Sequence, residues 1–195
     1  MRHHTSLLAL LTLAASACAS YTIEPPTGFV EVSSTSVETR MKAQDNVGLR
    51  VYRSYNVRGG TLGYWAADLV QKLGKRGYTL VGQAPATTKN RKQGTRFDFE
   101  YTSPTTGEPK FYTVVLIVTD EYKVTLDLAG DREHAATYQA RVGEIARELV
   151  VRGCKVGSKI CNGPQPPRLQ SPPPDPVPGA PTDPEAQPAP TPARG

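Results

Sequence analysis

The sequence predicts an α+β fold, an antiparallel sheet flanked by two helices in the order β-β-α-β-β-β-β-α. Three observations carry this expectation. Two segments place apolar residues at helical spacing along one stripe. Several others alternate apolar and polar residues, the period of a strand with one buried face. One strand, "KFYTVVLIVT" (110–119), is apolar on both faces: Val114, Leu116 and Val118 on one, Val115 and Ile117 on the other. A sheet with one wet face would not place apolar side chains in this way. Each face is therefore expected to receive one helix.

The chain opens with a short strand in "GFVEVSSTS" (28–36), carrying Phe29, Val30 and Val32. "NVGLRVYRSYNV" (46–57) alternates, with Leu49, Val51 and Arg53 facing one way and Arg50, Tyr52 and Ser54 the other. "RGG" interrupts it. Thr61 is placed to cap a helix that runs to about Arg76, and Gly77 to end it. The stripe of this helix is Leu62, Trp65, Ala66, Leu69, Val70 and Leu73. Strand "YTLVGQAPA" (78–86) follows. In "TRFDFEYT" (95–102), Phe97, Phe99 and Tyr101 turn inward and Arg96, Asp98 and Glu100 outward. "SPTTGEP" is turn chemistry. Beyond the double-sided strand, "YKVTLDLAG" (122–130) turns Val124, Leu126 and Leu128 inward. Asp131 can cap a closing helix to about Arg152, with Tyr138, Val142, Ile145 and Leu149 as its stripe.

This element order, together with "GYTLVGQ", "FYTVVLIVTDEYKVTLDL" and "YQARVGEIARELV", resembles the Mog1/PsbP-like family of α/β/α sandwiches over roughly residues 28–152. The resemblance implies a non-enzymatic accessory or binding module. It brings no shared catalytic residues.

Both ends of the 195-residue chain read differently from this middle. Arg2, His3 and His4 precede "LLALLTLA", an apolar run too short to span a bilayer but fitting an export signal over residues 1–17. "ASAC" ends it, as an ordinary small-residue cleavage site or as a lipobox. Cysteine arithmetic separates the two. Of the three cysteines, Cys154 and Cys161 can pair in an oxidising compartment, which leaves Cys18 over. Lipidation consumes it. By resemblance to bacterial lipoproteins, Cys18 carries diacylglycerol, and Ala19 in place of Asp favours the outer membrane. Residues 18–27 read as a tether and 28–162 as a single domain. Residues 163–195 hold 13 of the 18 prolines and read as a disordered tail.

Residues 19–162 carry 20 Lys plus Arg against 15 Asp plus Glu, a surplus that permits an anionic partner without requiring one. No catalytic constellation stands out. His134 reads as a surface or capping residue. "RGGTLG" (58–63) precedes a helix but lacks the Walker lysine and the dinucleotide spacing. Asp98, Glu100 and Asp127 could pair as acid–base carboxylates, but their alternation with Arg96 and Lys123 reads as solvated groups or ion pairs. We expect no cofactor, no metal, no nucleic-acid partner and no enzymatic activity. "KNRKQGTR" (89–96) places Lys89, Arg91, Lys92 and Arg96 in one segment, expected to project as a hairpin tip and meet an anionic partner.

The expected function is that of an outer-membrane lipoprotein facing the periplasm. It would serve as a structural or accessory subunit of an envelope assembly, held to the membrane through Cys18. Two alternatives are a small-ligand or polysaccharide binder and, by similarity of outline, a component of myxobacterial-type gliding machinery.

Overall fold

The structure, a computed structural model, describes residues 19–175. The expected signal at 1–17, the lipidation site Cys18 and residues 176–195 lie outside them. The elements are β1 (Tyr21–Ile23), β2 (Phe29–Ser34), β3 (Glu38–Ala43), β4 (Gly48–Tyr55), α1 (Leu62–Lys75), β5 (Thr79–Thr87), β6 (Gln93–Thr102), β7 (Pro109–Val118), β8 (Tyr122–Asp131), α2 (Ala135–Arg147) and β9 (Leu149–Val151). Seven strands form one antiparallel sheet in the order β2-β3-β4-β8-β7-β6-β5. β1 and β9 form a separate antiparallel pair.

The expected α+β architecture holds, with one helix on each face. Leu62, Ala66, Val70 and Leu73 of α1 pack on Phe97, Phe99, Val114 and Leu116. Tyr138, Val142 and Ile145 of α2 pack on Phe111, Val115, Ile117 and Leu126 on the other side. The double-sided β7 is the pivot: Val114, Val115 and Ile117 are all 0% exposed, although they point in opposite directions. Burying both faces of this strand excludes water from the hydrogen-bond ladder at the sheet centre. Thr61 caps α1 as expected, accepting the Tyr64 backbone N–H at 3.3 Å.

Four features depart from the sequence reading. Residues 38–43, between the two expected strands 28–36 and 46–57, form β3, which pairs with both β2 and β4 and buries Thr39, Met41 and Ala43. The closing helix stops at Arg147, short of the expected Arg152. Beyond it Leu149 and Val151 are fully buried as strand partners of Ile23 and Tyr21. Asp131 makes no side-chain cap and instead pairs with Lys110. The segment read as a tether thus contributes a strand. Its Tyr21 is buried, and the hydroxyl donates to the Val51 carbonyl at 3.0 Å.

The fourth departure is the start of the proline-rich segment, whose residues 163–175 lie as a strap along α1 and β5. The Gln83 carboxamide donates to the carbonyls of Pro166 (3.3 Å) and Pro167 (2.9 Å) and accepts from the Leu169 N–H at 3.0 Å. The Leu80 N–H donates to Ser171 Oγ at 2.8 Å, and the Asp175 N–H to the Lys75 carbonyl at 3.2 Å. Leu169 packs against the α1 core cluster. Pro172 sits on Gly74, where a Cβ would come within 2.4 Å of its Cδ. Polyproline segments leave their carbonyls free, and Gln83 supplies the donors. The strap covers edge strand β5, whereas opposite edge β2 is exposed at five of its six residues.

Candidate binding face

Helix α1 and the strap cover the β5, β6 and β7 part of one sheet face. The rest of that face, from β8 out to β2, has no helix over it among the described residues. Alternation places Arg40 of β3, Arg50 and Tyr52 of β4, Thr125 and Asp127 of β8 and Tyr112 of β7 on it. Arg50 and Asp127 are register partners, and the guanidinium donates to Asp127 Oδ2 from Nη2 at 2.5 Å and Nε at 3.2 Å. The same guanidinium lies 4.5 Å over the Tyr52 ring and 3.7 Å from Glu38. Burial pushes the Asp127 carboxyl above the usual carboxylate range, and Arg50 works against that rise. Burial also pushes the Tyr112 phenol far up, with the Asp127 charge adding to it. Asp127 Oδ1 is buried with no hydrogen-bond partner. This polar floor is held tightly and is largely self-neutralised.

Between α1 and the β4–β8 pair the face deepens into a groove of about 290 Å³. Tyr52, Trp65, Leu69, Lys72, Tyr112 and Lys123 line it. Lys123 Nζ lies 3.4 Å over the Trp65 ring, and burial lowers its pKa. The aromatic face offsets part of that desolvation. Towards the free edge the face flattens, with Val30 of β2, opposite Lys42, at 67% exposure.

The basic segment singled out in the sequence does not form one cluster. Arg96 turns onto Asp98 at 2.7 Å and donates to the Gln139 carbonyl of α2 at 2.8 Å, so it cross-links strand and helix. The tip around residues 88–92 does not project freely. Its Lys89 N–H donates to the Leu149 carbonyl, and Asn90 exchanges hydrogen bonds with the Val151 backbone at 2.7 and 3.1 Å. Lys89 and Arg91 stay exposed and Lys92 half-buried, with Lys89 Nζ 3.9 Å from Glu148. Cys154 and Cys161 form the expected disulfide, with Cα atoms 6.0 Å apart. Asp120 lies beside it, but sulfurs bonded to each other are not thiolate ligands for a metal.

The three carboxylates weighed for acid–base work are kept apart. Asp98 faces α2, where it accepts from Thr113 at 2.8 Å, while Asp127 faces the α1 side. Glu100 meets Arg132 at 3.0 Å. Each has an arginine, but only Arg50–Asp127 pairs across strands: Arg96 lies two residues before Asp98 on β6, and Arg132 follows β8. His134, at the start of α2, lies 3.8 Å from Asp45 and 3.5 Å from Glu133. The groove went unseen in the sequence, because Trp65 reads there only as part of an apolar stripe. The outward aromatic–cation pattern of "RVYRS" was the available signal.

No protein-family model matches the chain, and no curated protein does. Among solved structures it is similar to a Pseudomonas aeruginosa protein of unknown function, at 10% identity and TM-score 0.49 over 64% of this chain and 81% of that one. It is also similar to LpqN, described as involved in cell envelope biogenesis of Mycobacterium tuberculosis, at 11% identity and TM-score 0.49 over 67% and 82%. Cyanobacterial PsbP from Synechocystis aligns at 16% identity and TM-score 0.41 over 69% and 88%. No helix among the described residues is long and apolar enough to cross a membrane.

Proposed function

We propose that this chain is a lipid-anchored envelope protein that works by binding, as a non-enzymatic accessory subunit, and that its partner lies on the open β2–β8 face. The observation supporting this is the asymmetry of that sheet face. One part is closed by α1 and the strap, and the other is left with exposed Val30 and an arginine-rich floor. Unpaired edges and exposed apolar sheet surface are usually covered. The anchor follows from the cysteine arithmetic: the disulfide uses Cys154 and Cys161 and leaves Cys18 for lipidation. Ala19 after it favours the outer membrane, on its periplasmic side.

A crosslinking pull-down from membranes tests the face. Val30→Asp with Arg40→Glu changes two exposed side chains and should abolish capture of the wild-type partner while leaving the melting temperature in place. Capture unchanged by the double variant would sink this assignment. Cys18→Ser should move the protein out of the membrane fraction and stop palmitate labelling. The groove beside α1 favours a second reading, a small-ligand or polysaccharide binder, since aromatic faces with convergent cations suit a ring-bearing ligand. A thermal-shift screen separates the readings: a ligand that raises the melting temperature of wild type but not of Trp65→Ala supports the second.

A further inference from the structure

The structure assigns a role to one end of the domain: it is a face that lies on a bilayer containing anionic phospholipid. This rests on the anchor proposed above, because residue 19 enters the fold at this end. The Ala19 carbonyl accepts from the Arg152 guanidinium at 3.2 Å, and the Ser20 carbonyl from the Arg152 N–H at 2.9 Å. β1 pairs with β9, and Asn90 ties β9 to the β5–β6 tip. By register, the β7–β8 turn and the end of β4 share that end of the sheet: Tyr55 lies opposite Tyr122, and Gly94 opposite Ile117. The disulfide loop closes over it, with the Lys155 N–H donating to Asp120 at 2.8 Å and Ile160 lying against Gly59.

Two properties set this end apart. The first is apolar exposure. Of the eight large hydrophobic residues exposed among the described residues, five lie here: Val37, Tyr55 (63%), Val57 (66%), Tyr64 (62%) and Val156 (106%). Val57 and Tyr64 stand on a rigid mount, since Asn56 bonds Trp65, Gly60 and Thr119 together. The second is charge. The turns and loops at this end carry Lys89, Arg91 and Lys92 at the tip, Arg58 before α1, and Arg152, Lys155 and Lys159 near the disulfide. Against these, among the described residues, stand Asp120, Glu121 and Glu148, with Glu38 at the close of the β2–β3 turn. At the other end, the turns carry Asp45, Glu108 and Glu133 against Arg76 and Arg132. The surplus positive charge of the domain therefore collects where the anchor enters.

Aromatic and aliphatic side chains ringed by cations match the layering of a bilayer surface. The apolar tips reach below the head groups, Tyr rings sit among them, and Lys and Arg meet the phosphates. A lipid on Cys18 alone would hold the domain through one point of attachment, next to residue 19, without fixing its tilt. This face instead gives it one orientation and holds the open sheet face perpendicular to the membrane.

The test uses the chain from residue 19 onward, within which all the described contacts are made, so that no acyl group contributes. It is sedimented with vesicles of phosphatidylcholine, alone or mixed with phosphatidylglycerol. Binding is expected to the anionic vesicles and to be weak on the neutral ones. Val57→Asp with Tyr64→Asp, and separately Lys89→Glu, Arg91→Glu and Lys92→Glu together, should each reduce it by about tenfold or more, as loss of several interfacial charges or apolar anchors predicts. Both variants should melt like wild type, which shows that the fold is intact. Wild type failing to bind anionic vesicles, or both variants binding undiminished, overturns the proposal. Capture of an acidic envelope protein through the same cations, without vesicle binding, overturns it in favour of a protein contact. If the unacylated chain binds vesicles but Cys18 takes up no palmitate in cells, only the anchor reading fails.

Discussion

The carboxamide oxygen of Asn56 accepts the indole N–H of Trp65 at 2.8 Å, while its amide donates to the carbonyls of Thr119 at 2.8 Å and Gly60 at 2.9 Å. Asn56 is 6% exposed, so a loop, a helix and the β7–β8 turn are pinned by one buried side chain. Asn56→Ala leaves three groups without this partner and should cost about 2–4 kcal/mol. Urea unfolding followed by the fluorescence of Trp65, the only tryptophan, measures it directly. A loss under about 0.5 kcal/mol would mean that water replaces the carboxamide without penalty.

Gly74→Ala tests the strap. Alanine in a helix is worth up to about 1 kcal/mol over glycine, so the change alone should stabilise α1. Here the new Cβ would meet Pro172. The expected result is a domain that melts no lower but whose strap is released. Hydrogen exchange would show lost protection at the Leu169 and Asp175 amides, with the β6 and β7 amides unchanged. Retained protection at both would show that the strap shifts rather than lifts.

Tyr138 and Asp45 carry the pH dependence. The Tyr138 hydroxyl donates to Asp45 at 2.7 and 2.9 Å, and this bond holds the Asp45 carboxyl below its ordinary value. Burial, with the Asp45 bond adding to it, pushes the Tyr138 phenol up to about 12. The Asp45 contribution is present above its unfolded pKa of about 3.9 and disappears as pH falls through the lower folded value. The Tyr138 contribution is complete below about pH 10 and lost as pH rises towards 12. Tyr138→Phe should cost about 1 kcal/mol at neutral pH, a modest figure because Asp45 is partly solvated. Chemical denaturation across pH should show that gap constant from about pH 5 to 9 and shrinking below about pH 4.

Replacing Cys154 and Cys161 together with serine removes a clamp on a short loop. On the chain-entropy model this costs about 2–3 kcal/mol. The loss should appear as a lower urea midpoint at an unchanged denaturant slope. Intact mass under non-reducing conditions should show the two thiols of the wild type already linked.

The sequence showed the double-sided β7 because its neighbours Val114 and Val115 are both large and apolar, and that alone calls for a cover on each face. It hid β3. "ETRMKA" does alternate, but Glu, Arg, Lys and Ala are poor strand formers, and Met41 is the only large apolar residue among them. β3 exists because β2 and β4 pair with it on both sides. β1 and β9 are three residues each, too short for any period to register. The strap does not show in composition, because a proline-rich stretch with few apolar residues reads as disorder. Proline leaves a carbonyl-rich ribbon that a single correctly placed glutamine, Gln83, can hold. Likewise Arg96 belongs by sequence to a basic run, yet Asp98 two residues on and the α2 backbone claim it. Only the strand pleat decides which cations reach solvent.

Residue 19 enters the domain beside Arg152, whereas residue 175 leaves it beside Lys75, at the far end of β5. The nine residues of β5 separate these points by about 30 Å. In mechanical terms the domain is a coupler in series. A pull on the chain beyond residue 175, resisted at residue 19, runs lengthwise through the molecule. The strap lies antiparallel to β5, so its bonds to Gln83, Leu80 and Lys75 take that tension as shear, sharing it rather than opening one after another. The ladders of the seven-stranded sheet outnumber those few bonds. Under rising load the strap and the short β1–β9 pair give way and lengthen the chain, like fuses, before any strand of the large sheet is drawn out.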